Sequence, residues 1–514
     1  MIKKAVLLAV VMVAGLVSLG EANGYQPGDV DGDGYVGVSD LAAVAGMWRH
    51  SAEPFPHWAD YTSGNYAVPD GLVSVADIMW VAKGLGERHF VKIAQGKMSH
   101  GGNDWNFVSK ELGTSWGHNF WPVVSEGWKR QVFKLSFVYI DWDDPGSGVC
   151  ISPGGVRECI KTEGSGYLLK DVPECRGDDP AQWDERCLNK IAFEHPNQWW
   201  ILGEEVNFWF EDCLDDGGFG NDENGNPLVC GKSSEPDKFF PSPPVFARWY
   251  KDVTDSIQDG WDKAEAHGHV NDVARGKFIG FYFVQDDIGM TGGSYKCGAD
   301  GAPHGTADYL DKFYAEWICA DGSPCAAAGK HDSYGVVPMD GVDFNYRPKC
   351  NIQEGNGGGI NRTVNYWCGS DWTTHTCDGG KRAELDSRSW LGESTLLWGE
   401  TQGGRNYTSD KFPQNPQWGA DQCDVATRLD KLMAWGNRTV GFDALLWYAI
   451  ITDLNQVNSI RHSSLYEIPD TEWSRAPNSP AWDVDITDTC DGGPCRLTVV
   501  GETFAKGSLI ESCQ

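Results

Sequence analysis

The chain has 514 residues, with 73 acidic against 42 basic side chains and a formal charge of −31. A surface of that sign repels phosphate backbones and anionic lipid, which excludes nucleic acid and membrane as partners, and the length implies more than one structural unit. Neutral polymers remain: the 24 tryptophans offer flat faces that can stack on sugar rings, although a large secreted core also uses Trp.

Met1-Ile2-Lys3-Lys4, the apolar run from Ala5 to Leu19 and the small-residue step Gly20-Glu21-Ala22 form a secretory signal peptide over residues 1–22. The run is too short to span a bilayer comfortably, so a soluble, extracellular mature chain is expected. All 16 cysteines fall at or after Cys150, and an even number in an exported chain reads as disulfides. Cys150 with Cys159, Cys213 with Cys230, Cys368 with Cys377 and Cys490 with Cys495 are close enough to close short loops, but connectivity does not follow from sequence. The chain has no Cys-x-x-Cys pair, which argues against structural zinc.

Asp29-Val30-Asp31-Gly32-Asp33-Gly34-Tyr35-Val36-Gly37-Val38-Ser39-Asp40 places carboxylates at loop positions 1, 3, 5 and 12, with Gly at position 6. Hard oxygen ligands at that spacing wrap one calcium ion, with Tyr35 supplying its backbone carbonyl; Asp29, Asp31, Asp33, Tyr35 and Asp40 are therefore the expected metal site. An acidic surface loop is the plainer alternative. Gly24-Tyr25-Gln26-Pro27 cannot form an entering helix, and a helix is expected afterwards, from Ser39 to Trp48. The pattern recurs 37 residues later, where Asp70, Gly71 and Asp77 stand for Asp33, Gly34 and Asp40. Tyr66 and Val68 occupy the first two ligand positions of this copy, so a second calcium depends on Asp60 or Asn65 reaching in. Duplicated loop–helix units of this kind resemble dockerin domains. Applied to residues 23–88, the resemblance implies a small N-terminal all-α calcium-binding module that attaches a secreted enzyme to a cohesin-type scaffold protein. An intramolecular, calcium-stabilised cap is the alternative.

Residues 89–470 alternate short apolar runs with amphipathic stretches, the order of βα units, and the expected fold class is α/β, a (β/α)8 TIM barrel. Expected strands are Phe90 to Ala94, Phe133 to Asp141, Trp199 to Gly203, Lys277 to Val284, Gly341 to Tyr346, Thr395 to Gly399 and Phe442 to Tyr448. An eighth strand is not evident between Trp142 and Asn197, where Gly166 to Leu169 is a poor candidate. Helices are expected over Phe246 to Ile257, Ala307 to Trp317 and Asp424 to Trp435. The inserts Asp143 to Arg186, Glu211 to Pro236 and Lys349 to Arg382 read as disulfide-pinned loops. Asp222 to Asn226 could hold a further calcium but reads better as a solvated acidic loop. Residues 471–514 form an expected C-terminal β tail, with one strand from Arg496 to Val500.

Two segments of this domain, Trp199-Trp200-Ile201-Leu202-Gly203-Glu204-Glu205-Val206-Asn207 and Ser394-Thr395-Leu396-Leu397-Trp398-Gly399-Glu400-Thr401, run an apolar strand into glutamate. Strand ends around a common mouth are where barrel enzymes keep their chemistry. A facing pair of carboxylates cleaves a glycosidic bond, one protonated to release the leaving oxygen and the other ionised to attack the anomeric carbon. Solvated strand-end glutamates without chemistry are the alternative.

The first segment resembles the strand-four signature of clan-A glycoside hydrolases, an apolar strand leading into Gly-Asn-Glu-Pro. The resemblance implies Glu205 as acid/base, Glu400 as nucleophile, Trp398 beside it, Tyr346 as the strand-six aromatic that contacts the nucleophile, and Trp447 as the floor of the sugar site, with Glu204 and Asn207 near the substrate. Glu204 replaces the family's Asn and Val206 its Pro. A carboxylate accepts where the amide donates, which leaves three readings open: an unusual substrate, an acid/base at Glu204, or loss of catalysis. The sequence thus points to a secreted retaining glycoside hydrolase acting on a polysaccharide or oligosaccharide, without a catalytic cofactor. A non-catalytic carbohydrate-binding or scaffold-associated barrel protein is the rival, and a calcium-dependent cell-surface protein is a third reading that leaves both glutamate motifs unexplained.

Overall fold

A computed structural model describes residues 28–31, 36–50, 57–60, 71–86, 91–95, 105–114, 116–119, 130–135, 167–203, 229–232, 235–241, 243–283, 306–319, 332–345, 388–391, 396–401, 444–448, 464–467 and 494–513, with isolated positions 423, 426, 429, 430, 433 and 487. The helices in chain order are α1 (Val38–Gly46), α2 (Val75–Lys83), α3 (Trp105–Leu112), α4 (Leu188–Glu194), α5 (Pro243–Ala266), α6 (Thr306–Ile318) and α7 (Val499–Lys506). The strands are β1 (Val91–Gln95), β2 (Trp116–Asn119), β3 (Arg130–Leu135), β4 (Trp199–Leu202), β5 (Val229–Lys232), β6 (Glu235–Pro241), β7 (Phe278–Phe283), β8 (Gly341–Asn345), β9 (Leu396–Thr401) and β10 (Ala444–Tyr448). Contacts divide the chain into two units: Met1–Val132 with Glu265–Gly276 and Glu400–Gln514, and Phe133–Ala264 with Lys277–Gly399.

In the first unit β1 lies between two parallel neighbours, pairing Val91 to Gln95 with Ala444 to Tyr448 of β10 and Ile93 to Gln95 with Trp116 to His118 of β2. Helix α7 is tied to β1: the Lys92 ammonium donates to the carbonyls of Phe504 (2.6 Å) and Ala505 (3.0 Å) in its last turn. A cation at a helix C-terminus complements the dipole there, while burial pulls the Lys92 ammonium down to about 7. The disulfide Cys423–Cys513 joins the chain end to a helical position of the same unit.

In the second unit the strand order is β3 (from Phe133 on)–β4–β7–β8–β9 (up to Gly399), while Arg130 to Val132 and Glu400 to Thr401 belong to the first unit. Strands β4 and β7 are parallel, with Trp200 opposite Phe278, and β7 and β8 are parallel with a bulge between Gly280 and Tyr282. All four residues of β4 are buried, as in a parallel strand covered on both faces; this is why Trp199 to Leu202 reads as a continuous apolar run and not as an alternation. Helix α5 buries Phe246, Trp249, Tyr250, Val253, Ile257, Trp261 and Ala264 at helical spacing. Trp261 of this stripe meets Phe278 of β7 at 4.7 Å, and Phe246 and Tyr250 meet Phe313 of α6 at 5.9 and 5.5 Å. Gly260 lets α5 approach α4 closely, because a Cβ there would run into the Asn189 carbonyl. Each unit is thus a parallel sheet with helices against it, the α/β class.

Several elements differ from the sequence expectation. The strand expected at Phe133 to Asp141 begins earlier, at Arg130, its polar start hiding the true beginning; it is described to Leu135, and residues 136–141 lie outside the described residues. The strand that the sequence does not reveal is β2, whose Trp-Gly-His-Asn offers no apolar run. Gly166 to Leu169 contributes only a bridge from Leu168 to Cys187. The Arg496 to Val500 strand of the C-terminal β tail is cut short by a helix: Leu497 makes one bridge to Tyr466, then the Thr498 side chain caps α7, which starts at Val499, by accepting the Gly501 N–H at 3.0 Å. Buried Val500 and Phe504, four residues apart, decide for the helix over the β propensity of the Thr-Val-Val run. The Glu211 to Pro236 insert carries the first part of an antiparallel hairpin, β5–β6.

The Asp143 to Arg186 insert is pinned as expected, by Cys175–Cys187, around a small core of Leu168, Val172, Trp183 and Phe193. The candidate pairs Cys150 with Cys159, Cys213 with Cys230 and Cys368 with Cys377, the partner Cys490, and the acidic loop Asp222 to Asn226 lie wholly or partly outside the described residues; Cys495 and Cys319 are disulfide-bonded.

One carboxyl of α5 gives a test of the fold. Burial, with Asp255 and Asp171 beside it, raises the Asp252 carboxyl of α5 from 3.8 to about 7. Between those values the folded chain keeps a proton that the unfolded chain has released, so stability falls as pH rises through this window. Asp252→Asn is expected to raise stability by about 1–2 kcal/mol at pH 8 and leave it unchanged near pH 4, read by thermal unfolding across pH. An equal effect at both values would contradict the assignment.

Candidate active site and candidate cation loop

Strand β4 ends at Leu202, and Gly203 follows with φ 89°, a left-handed conformation that glycine adopts without strain. Its N–H donates to the Leu135 carbonyl at 3.0 Å, so the turn that leads to Glu204 and Glu205 is held by the end of β3. Glu204, Glu205, Asn207 and Tyr346 themselves lie outside the described residues. Trp398 and Glu400 are the third and fifth residues of β9. The chain enters β8 and β9 at the same end, the Leu396 N–H donating to the Asp340 carbonyl at 2.8 Å. Trp447 is the fourth residue of β10 and is fully buried.

Sequence patterns do not single out the buried polar side chains on the strands: His118 on β2, Gln131 and Lys134 on β3, and Asp343 on β8, none more than 1% exposed. Charged groups inside a sheet are kept only with partners, and such groups near strand ends are where site chemistry collects. The signal available for Lys134 was a lysine flanked by Phe133 and Leu135 in a strand-like run.

In the first unit, one ligand atom each from Asp29, Asp31 and Asp40 lies within 4.8 Å of the others. Asp40 sits in the first turn of α1 with no exposed surface; it accepts N–H groups of Val30 (2.6 Å), Asp31 (3.1 Å) and Gly37 (2.6 Å). Burial raises its carboxyl to about 6, with the Asp31 charge adding to the effect. Carboxylate oxygens gathered at this density suit a hard divalent cation, which would relieve the repulsion they impose on one another. Asp33 and Tyr35 lie outside the described residues.

The second copy repeats the frame of the first. Helix α2 begins and ends 37 residues after α1, and Asp77 accepts the Ser74 N–H at 2.7 Å as Asp40 accepts that of Gly37. Asp60 does reach this loop, fully buried and accepting the Gly71 N–H at 2.8 Å, but among the described residues only the first loop gathers three acidic groups.

No family model and no curated protein matches the chain. It is similar to solved structures of GH128 endo-β-1,3-glucanases. The subgroup II enzyme from Sorangium cellulosum shares 13% identity over 81% of this chain and 99% of that one, with a TM-score of 0.35. The subgroup II enzyme from Pseudomonas viridiflava shares 12% over 82% and 97%, at 0.34. The subgroup I enzyme from Amycolatopsis mediterranei, in complex with laminaritriose, shares 10% over 82% and 100%, at 0.28. Likeness at this level carries no argument about the fold or the chemistry of this chain.

Proposed function

We propose that the chain is a secreted retaining glycoside hydrolase on a closed (β/α)8 barrel, with Glu205 as general acid/base and Glu400 as nucleophile, acting on a neutral polysaccharide or oligosaccharide. The observation that carries the reading is that each glutamate motif stands at the end of a strand: Glu204 and Glu205 follow the end of β4, and Glu400 is next to last in β9. The carboxyl ends of parallel strands are where a barrel presents its chemistry. The barrel is supported by parallel strands with helices in each unit, β10–β1–β2 in the first and β4–β7–β8 in the second. Glu205 protonates the leaving oxygen while Glu400 attacks the anomeric carbon; water then hydrolyses the glycosyl ester with Glu205 acting as base.

Export is supported by disulfides and by the absence, among the described residues, of any helix long and apolar enough to cross a membrane. The N-terminal pair of loop–helix units, residues 23–88, holds calcium through Asp29, Asp31, Asp33, the Tyr35 carbonyl and Asp40, supported by the convergence of three of these carboxylates. Attachment to a cohesin-type scaffold is supported by Val38 and Val75, equivalent first residues of α1 and α2 that are 63% and 57% exposed.

Hydrolysis of a panel of neutral polymers, with β-1,3-glucan, β-1,4-glucan, xylan and mannan among them, tests the proposal by release of reducing ends. At least one polymer is expected to be cut. Binding without cleavage would favour the carbohydrate-binding reading, which Glu204 in place of Asn keeps open.

A further inference from the structure

The loop that gathers Asp29, Asp31 and Asp40 is fastened to the sheet of its own unit. Arg130, the first residue of β3 and only 4% exposed, donates from its guanidinium to the carbonyl of Val30, the residue between Asp29 and Asp31. The same guanidinium lies 5.0 Å over the ring of Trp116, the first residue of β2. A planar, always charged fork held against an aromatic face is a stiff connector, with little freedom left to lose when it bonds.

A second attachment lies on α1. Asn271 donates to the Ala43 carbonyl at 2.9 Å, and its own turn is fixed by Ala274 and Arg275 N–H groups bonding the Asn271 carbonyl, each at 3.0 Å. The segment Glu265–Gly276 belongs to the same compact unit as the N-terminal stretch. Two independent side chains from outside the module therefore grip it, one at the carboxylate loop and one on the helix that follows.

We propose that the N-terminal loop pair is an intramolecular clamp, and that cation binding by Asp29, Asp31 and Asp40 is transmitted through Arg130 to strands β2 and β3. The clamp rests on the calcium reading of this loop but goes beyond it: a module built only to dock on a partner has no need to tie its ligand loop to a buried arginine of the sheet. Ordering the loop fixes the Val30 carbonyl, and a fixed acceptor holds the guanidinium that bridges to the start of both strands. Closing a bond between two ordered groups costs less entropy than ordering them together, so occupancy at one end stabilises the other.

Hydrogen exchange on the full chain tests this, read peptide by peptide with calcium chloride or with chelator, alongside calcium uptake by equilibrium dialysis. In the wild type, calcium is expected to slow exchange of amides in residues 116–119 and 130–135 by about tenfold or more at saturating ion. Asp31→Ala should abolish both uptake and the slowing. Arg130→Lys should keep uptake and the protection of residues 28–50 while losing most of the effect on 130–135, since an ammonium cannot both stack and reach as the fork does. Should Arg130→Lys fail to fold, Asn271→Ala provides the second arm, with calcium-dependent protection of residues 36–46 intact and that of 265–276 lost. Calcium uptake without any change in 116–119 and 130–135 of the wild type overturns the clamp and leaves the cation site standing. No uptake at all overturns both.

Discussion

Glu400→Ala is expected to lower the turnover of any polymer or glycoside that the wild type cuts by about 10⁴-fold or more, because the covalent route has no other nucleophile at that position. The loss should be chemical and not structural. The residue is next to last in β9, beyond the start that the Leu396 N–H anchors to Asp340 at 2.8 Å, so the far-ultraviolet spectrum and the melting temperature should match the wild type. Activity within tenfold of the wild type would remove Glu400 from the mechanism.

Glu205→Ala is expected to separate substrates by their leaving groups. A glycoside with a good leaving group needs little protonation, so its glycosyl ester should still form; its breakdown, which needs the base, should stall. Added azide attacks the ester without base assistance and should restore turnover, giving the glycosyl azide. Natural polymers, with poor leaving groups, should lose about 10²–10⁴-fold and gain nothing from azide. Glu204→Ala decides the assignment within the pair. Azide rescue in that variant, with Glu205→Ala fully active, would move the acid/base role to Glu204.

The elements that the sequence shows plainly are those whose burial is one-sided or complete along a continuous run. Helix α5 declares itself because Phe246, Tyr250, Val253, Ile257 and Trp261 recur at helical spacing, and β4 because both of its faces are buried. Strand β2 stays hidden because its neighbours, not its own side chains, make it a strand: Gly117 and His118 pair with Ala94 and Gln95 and carry no periodic apolar signal. The helix α7 is misread because Thr498, a β-favouring residue, serves as its N-cap, and caps are local hydrogen-bond devices that propensity does not describe.

At the candidate cation loop the spacing of the carboxylates is legible, and the structure brings Asp29, Asp31 and Asp40 together. What spacing does not carry is the attachment of the loop to Arg130, about a hundred residues on, since a single arginine at a strand start has no sequence signature. The same holds for Lys134 and Asp343, whose burial depends on strands brought together by the fold. At the candidate active site the two glutamate motifs are legible as apolar runs that lead into glutamate, and Gly203 between β4 and Glu204 takes φ 89°, a conformation that favours glycine.

The most direct test of the central claim is covalent trapping on the full chain with a 2-deoxy-2-fluoro glycosyl fluoride of the sugar that polymer screening identifies. The fluorine at C2 slows the charge-separated steps, and the reactive leaving group lets formation of the ester outrun its hydrolysis. Intact mass should rise by one fluoroglycosyl unit, peptide mapping should place it on Glu400, and the Glu400→Ala chain should take up none. Attachment to any other carboxylate, or an active enzyme that is never labelled and inverts the anomeric centre, would contradict the account.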